Sequence, residues 1–505
     1  WNPDEPRYAE VAREMQVSGD YLIPHLNGSI YSHKPPLLFW TICAASRLTG
    51  QLDELAVRLP LALSGLATLC LVLAIGYRQF SPRAAWVAVA ALGSCWKFPL
   101  QAQTGQIDML LVFLVTLSIY FWVRGEVEER PVWARLFFVS LGAAVLAKGP
   151  AGLLPPLLAI LVFLALRRDR EGFRRLAVGR GLLISLAVVA IWLVPAGWAG
   201  GWPYLEQIVF RQNVTRYVHA WGHIQPFTYY LPVILTDYFP WSLLLPAAVV
   251  AGWRLADTEA RRWFRFNLCW IGVTLLFFSV SAGKRTVYIL PMYPAMALVI
   301  GAGFERLAAI WPRRRFWVIG PLGIAAGVTG VAAVVVPRLV AHRPELSVLG
   351  PALPGRVGGI LALMALALAA AALLAWRGKI HAAAGALAGG AAVVTLAATL
   401  AVLPPFDRLK SARPLAEALQ LRCGPTTEYA LYPRLEPPFL FYTRRFATVL
   451  STPAQLRDYA VSHRPACIIA ERAHLDDLTG EMGLSVLASD SNPTAGYVLL
   501  GNDTP

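Results

Sequence analysis

Apolar runs too long for a soluble core dominate this chain. Segments 54–77, 82–97, 108–123, 132–147, 150–166, 181–200, 229–253, 264–282, 287–304, 316–336, 357–376 and 380–403 are mostly apolar and are separated by short polar connections. A helix needs about 20 apolar residues to cross a ~30 Å hydrocarbon core, and several of these segments lie near the short limit. Over the 505 residues, 57% are hydrophobic and 15% charged, against about 25% charged in soluble domains. Disorder, a coiled coil and collagen are excluded, as is a transmembrane β-barrel, whose strands would alternate rather than run apolar. The pattern predicts an all-α polytopic membrane protein with about twelve spans.

The connections alternate in character. One set carries Arg78 and Arg83, then Arg124, Arg130 and Arg135, then Arg167, Arg168, Arg170, Arg174, Arg175 and Arg180. It continues with Arg254, Arg261, Arg262 and Arg265, then Arg306, Arg313, Arg314 and Arg315, then Arg377 and Lys379. Arg-rich loops stay on the cytoplasmic side, so residues 1–53 and the C-terminal segment are expected outside. The net charge of +15 is accounted for by this topology and implies no nucleic-acid partner. Only six of the basic residues are Lys, a balance like that of GC-rich bacterial coding. A basic-poor outer segment starting at Trp1 also leads us to expect a further span upstream, about thirteen in all.

Two domains are expected. Residues 1–403 form the transmembrane domain, in which 1–53 is a first outer loop with amphipathic helices. Residues 404–505 form a small soluble α/β domain, with strands at Glu428–Tyr432, Ala447–Leu450, Ala466–Ala470 and Gly496–Leu500 and helices at Arg413–Leu421 and Pro453–Ser462. The six cysteines show no metal-ligand spacing and read as small buried apolar residues. No internal repeat is visible, which argues weakly against a transporter.

The outer loops hold the unusual residues. Asp4 and Glu5 open a helical pattern with Tyr8, Val11, Ala12 and Met15 on one face and Arg7, Glu10, Arg13 and Glu14 off it, an amphipathic helix expected to lie in the interface. Asp4 as N-cap and Glu5 as a first-turn acid is the plain alternative to a chemical role. Lys34, before Pro35 and Pro36, can snorkel to headgroups or bind a ligand. Asn27-Gly28-Ser29 and Asn213-Val214-Thr215 match the glycosylation sequon by accident in a bacterial protein. Asp108 opens a span, where it can cap the helix; a carboxylate at membrane depth is also a functional hint. Lys148 sits in a tight outer turn with no evident partner. Arg216 lies in an outer loop with His219 and His223, whose i,i+4 spacing is a candidate metal pair against which the flanking Gly and Pro argue. Lys284, Arg285 and Tyr288 occupy another short outer turn. Carboxylates facing a cationic cluster suit a reaction with a phosphate leaving group: cations neutralise the departing charge, and a carboxylate can take a proton from a hydroxyl.

The run at residues 4–10 (Asp-Glu-Pro-Arg-Tyr-Ala-Glu), Ser18-Gly19-Asp20-Tyr21, His25-Leu26-Asn27-Gly28 and Lys34-Pro35 resemble the aminoarabinose transferase branch of the GT-C glycosyltransferases, a group that includes protein O-mannosyltransferases. Lys148-Gly149-Pro150 and the stretch from Lys284-Arg285 through Tyr288 and Pro291 to Tyr293-Pro294 fit the same family. These motifs cover residues 1–300. The resemblance implies Asp4, with Glu5, as the catalytic acidic pair and Asp108 as a second acid. It implies Lys34 and Arg216 as holders of a polyprenyl phosphate, with Lys148 and Tyr288 in the same cavity, and we count Lys148 with the phosphate-binding cations. We add Lys284, Arg285 and His33 to the cavity from their loops. One departure is His33, where many aminoarabinose transferases have Glu before Lys-Pro, so the resemblance does not specify aminoarabinose or lipid A.

The sequence therefore leads to an inverting glycosyltransferase of the bacterial inner membrane. It is expected to move a sugar from a polyprenyl-phosphate carrier to a lipid A, glycan or protein acceptor on the periplasmic face. No cofactor is implied with certainty; a divalent metal is an open possibility. The rival from another class is a lipid-linked-sugar flippase or transporter, which should place ionisable residues near the middle of spans; here they gather at outer span ends.

Overall fold

The computed structural model describes residues 4–215, 222–310, 315–463, 465–474, 484–490 and 496–502. It begins with α1 (Asp4–Ser18), a hairpin of β1 (His25–Leu26) and β2 (Ser29–Ile30), and α2 (Leu37–Thr49). Then come α3 (Glu54–Gln79), α4 (Pro82–Ser94), α5 (Lys97–Ala102), α6 (Ile107–Glu128), α7 (Pro131–Lys148) and α8 (Leu154–Arg167). Among the described residues, nine helices are long and apolar enough to cross a membrane: α3, α6, α7 and six later ones at Arg170–Gln212, Thr258–Val280, Thr286–Ala309, Phe316–Ala341, Leu353–Trp376 and Ile380–Asp407.

These match nine of the expected spans; the other three take different forms. Segment 82–97 becomes α4, of 13 residues. Segment 150–166 becomes α8, of 14 residues, after a 3-10 turn at Gly149–Gly152. Segment 229–253 is continuous in hydropathy but broken in structure, into Tyr230–Asp237, Trp241–Leu243 and Leu245–Gly252. Pro240 and Pro246 lie at the joints, where a missing N–H and a restricted preceding residue end helices.

The expectation for α1 is corrected. It does not lie in an interface with a wet polar face: Glu5, Glu10 and Glu14 are buried along with Tyr8, Val11, Ala12 and Met15. Its apolar face packs on α2, and Glu10 is satisfied by Arg13 at 2.7 and 2.8 Å. The C-terminal unit covers the rest, with Phe446 under the Arg13 guanidinium at 5.8 Å.

That unit is a five-stranded sheet in the order β4-β3-β5-β7-β6, built from β3 (Ala430–Tyr432), β4 (Thr448–Val449), β5 (Cys467–Glu471), β6 (Ser485–Ser489) and β7 (Tyr497–Gly501). β3 runs parallel to β4 and β5, while β7 runs antiparallel to β5 and β6. The expected strands and both expected helices are present; β6 and a helix at Pro437–Thr443 are additional. Cys423 and Cys467 are not plain buried thiols but a disulfide that ties helix Arg413–Cys423 to the central strand β5.

Candidate functional site

The first turn of α1 sets the site. Asp4 accepts a bond from Arg285 at 2.9 Å and one from Arg7, a turn along the same helix, at 3.3 Å. Burial alone would raise its carboxyl, but the Arg285 guanidinium, with Arg7 and Lys34, holds it below the usual range. Glu5, on the other side of the helix, turns away. It is 1% exposed, takes Arg58 at 2.6 and 3.3 Å, and accepts the Gly105 amide at 2.9 Å. A Cβ at position 105 would stand 2.6 Å from Val57 and 2.8 Å from Glu5, so only glycine permits this approach. Glu5 thereby fastens α1 to α3 and to the loop that leads into α6.

That loop delivers Asp108. It does not cap α6: the N-cap is Gln106, which makes no side-chain cap bond. Asp108 sits in the first turn and pairs with Lys148. The expectation that Lys148 lacks a partner is thus corrected; the pair comes from sites 40 residues apart. The Lys148 ammonium also lies 4.6 Å from the centroid of the Tyr288 ring. Arg285 feels both Asp4 and Asp108 electrostatically, with Tyr288 beside them. Arg7, Asp4, Arg285, Asp108, Lys148 and Tyr288 therefore form one polar network at the helix ends opposite the Arg-rich connections.

Lys34 is half-buried and within electrostatic reach of Asp4. His33 is exposed, its ring 4.9 Å from that of Tyr31. Lys284 does not join the cluster. It is 5% exposed and donates to the carbonyls of Gln225 and Ser281 at 2.9 and 2.7 Å, fastening the loop before Phe227 to its own turn. Arg216 and His219 lie outside the described residues. Among the described residues, no three His, Cys, Asp or Glu side chains are grouped to hold a metal ion.

Three contributors were not picked out as site residues from the sequence. Arg58 and Gly105 carry no motif of their own. Tyr8, one turn after Asp4, is 4% exposed. Burial raises its hydroxyl pKa, and Tyr31, Asp4 and Asp108 add to the effect, so it remains a hydrogen-bond donor beside both acids. Its signal was the i,i+4 spacing from Asp4, which puts both on one helix face.

A family model described as dolichyl-phosphate-mannose-protein mannosyltransferase matches residues 33–194. The undecaprenyl phosphate-alpha-4-amino-4-deoxy-L-arabinose arabinosyl transferase of Pectobacterium atrosepticum is 30% identical over 350 residues, 66% of this chain and 60% of that one. Its counterpart numbered 2 in Proteus mirabilis is 28% identical over 353 residues, 68% and 62% of the two chains. The chain thus spans about three fifths of the length of these curated relatives. The crystal structure of ArnT from Cupriavidus metallidurans bound to undecaprenyl phosphate superposes with a TM-score of 0.85 at 24% identity, covering 100% of this chain and 94% of that one. The resemblance to the aminoarabinose transferase branch of the GT-C glycosyltransferases is borne out in sequence and in fold, as is a helical membrane protein with a small C-terminal sheet.

Proposed function

We propose that the chain is an inverting glycosyltransferase that moves a sugar from a polyprenyl-phosphate carrier to an acceptor on the outer face of the bacterial inner membrane. The observation that carries this is the network in which Asp4, Arg285, Asp108 and Lys148 meet at one end of the helix bundle. The names of its relatives supply the carrier: transferases that use undecaprenyl-phosphate aminoarabinose. The disulfide favours an oxidising, periplasmic setting for the C-terminal unit.

In this reading Lys34 and Arg216 hold the carrier phosphate. The acceptor oxygen bonds to the anomeric carbon from the face opposite the phosphate. The bond from that carbon to the phosphate oxygen breaks, and polyprenyl phosphate leaves with the electron pair, its charge met by the cations. A general base works best with a pKa near the operating pH. Asp4 is held low by Arg285 and is a poor base. It suits an acceptor that is already ionised, such as a phosphate on lipid A, better than a hydroxyl on a glycan or protein. Asp4 then stabilises the positive charge that develops on the sugar. A transporter is disfavoured because the ionisable residues gather at helix ends.

The test is Asp4→Asn in purified protein given undecaprenyl-phosphate sugars and phosphate- or hydroxyl-bearing acceptors, with products read by mass spectrometry. Asn keeps a hydrogen bond to Arg285 and loses the charge, so turnover should fall by at least ~10²–10³-fold while the protein stays folded. Full activity in this variant would remove Asp4 from the chemistry.

A further inference from the structure

We infer that the C-terminal unit positions the hairpin that leads to the donor-binding lysine, and that it does so through Asn27. The inference rests on the reading that Lys34 meets the carrier phosphate. Asn27 and Gly28 form the tight turn of the β1–β2 hairpin, with φ of 54° and 72°, the backbone that an Asn-Gly pair favours.

The turn is held from two sides. From α1, the Glu14 carboxylate accepts the Asn27 and Gly28 amides at 2.5 and 3.0 Å. From the C-terminal unit, Ala447 exchanges a reciprocal pair of bonds with the Asn27 side chain. Asn27 Nδ2 donates to the Ala447 carbonyl at 2.8 Å, and the Ala447 amide donates to Asn27 Oδ1 at 3.0 Å. Ala447 immediately precedes β4, which is bonded to β3 and through it to the disulfide-anchored β5. Leu26, beside Asn27, packs into the core of that same unit with Tyr429 and Phe439.

Downstream, the Tyr31 amide donates to the Pro24 carbonyl at 2.7 Å, and Ser32 bonds Gln207. Only His33 separates this fastened stretch from Lys34. Asp4 at one end of α1 and Lys34 beyond the hairpin are therefore referenced to each other through Glu14, Asn27 and Ala447. Loss of the Ala447 bonds leaves the hairpin held to that unit only by the Leu26 packing, and leaves Asp4, Asp108 and their partners untouched.

The discriminating variant in the full-length protein is Asn27→Gly. Glycine adopts the left-handed turn without strain, so the change removes the two side-chain bonds and otherwise adds only the entropy that glycine has in the unfolded chain. We expect KM for the undecaprenyl-phosphate sugar to rise, and undecaprenyl phosphate binding to weaken, by about tenfold. Turnover at saturation and melting temperature should stay near the unmutated values, and hydrogen exchange should rise in residues 25–31. Tyr442→Phe, which removes a different bond between the unit and the bundle (Tyr442 to Glu54, 2.9 Å), should leave KM unchanged. A fall in melting temperature with no change in KM would make Asn27 merely structural and overturn the inference. Lys34→Ala measured alongside separates the two claims. If it binds undecaprenyl phosphate normally, the donor reading beneath the inference is wrong. If it binds weakly while Asn27→Gly binds normally, the positioning role is wrong.

Discussion

Two pairs of helices have similar hydropathy and opposite surroundings. Thr286–Ala309 and α6 are 94% and 72% buried within the protein over their apolar stretches. Phe316–Ala341 and Leu353–Trp376, no less apolar, are only 11% and 22% buried. An apolar helix satisfies lipid and protein neighbours alike, so hydropathy marks membrane residence and says little about packing. The site is built on the packed pair: Asp108 opens α6 and Tyr288 opens Thr286–Ala309. Small and polar side chains, including Thr116 and Ser118, are buried within α6. Neighbouring helices enclose most of this pair, which fixes the ion pair at the start of α6.

The largest effect that can test this contrast comes from splitting the Asp108–Lys148 pair. Their side chains are 8% and 11% exposed. Removing one partner strands a largely buried charge, at about 3–5 kcal/mol for a buried pair. Lys148→Met or Asp108→Leu alone should lower thermal stability sharply, and the double variant should recover most of the loss without recovering transfer. Equal stability in single and double variants would mean the pair is solvated. Val328→Ala, on a lipid-facing stretch of Phe316–Ala341, should change stability by less than about 0.5 kcal/mol.

Glycine substitutions should give a smaller contrast between the same two regions. A Cβ on Gly303 would stand 2.3 Å from the Ala248 carbonyl oxygen and 2.5 Å from its Cα, whereas one on Gly323 meets nothing within 4 Å. Gly303→Ala should push Thr286–Ala309 off its neighbour and cost about 1–3 kcal/mol. Gly323→Ala should be neutral or stabilising by up to about 1 kcal/mol through helix propensity. Calorimetry in one detergent decides, and equal losses at both sites would erase the packing distinction.

Legibility in the sequence followed the range of each interaction. The long spans were legible because apolar length is a local property. The break within 229–253 was not, because its hydropathy is continuous and only Pro240 and Pro246 mark the joints. The acids and most of the cations of the site could be picked out as unusual residues in outer loops. Their pairings could not: Lys148 meets Asp108 across 40 residues, and Arg58 meets Glu5 across 53. Glu10 and Glu14 read as a wet face because nothing local reveals a cover arriving from residue 437 onward. The Cys423–Cys467 bond, 44 residues apart, falls under the same limit. Asn27-Gly28 carries the strongest short-range hairpin signal, but the pair was read as part of an accidental sequon and no hairpin was expected there.

The smallest effect is expected in the pH profile of the unmutated protein. Arg285, Arg7 and Lys34 hold Asp4 below its ordinary value of 3.8 against the opposing effect of burial. The folded protein keeps that charge where an unfolded chain would take up a proton. The pair therefore stabilises the fold above the ordinary value, and the contribution disappears as pH falls through the lowered one. Asp4 is fully ionised across the working range, so kcat/KM should be flat from about pH 7 to about pH 5 as far as this group is concerned. Arg285→Gln removes the main cause of the depression and leaves burial to act, so an acid limb should move up toward that range. An acid limb above the ordinary aspartate value in the unmutated protein that moves with Arg285→Gln would mean that Asp4 titrates there and is not held low by the network at the ends of the packed helices.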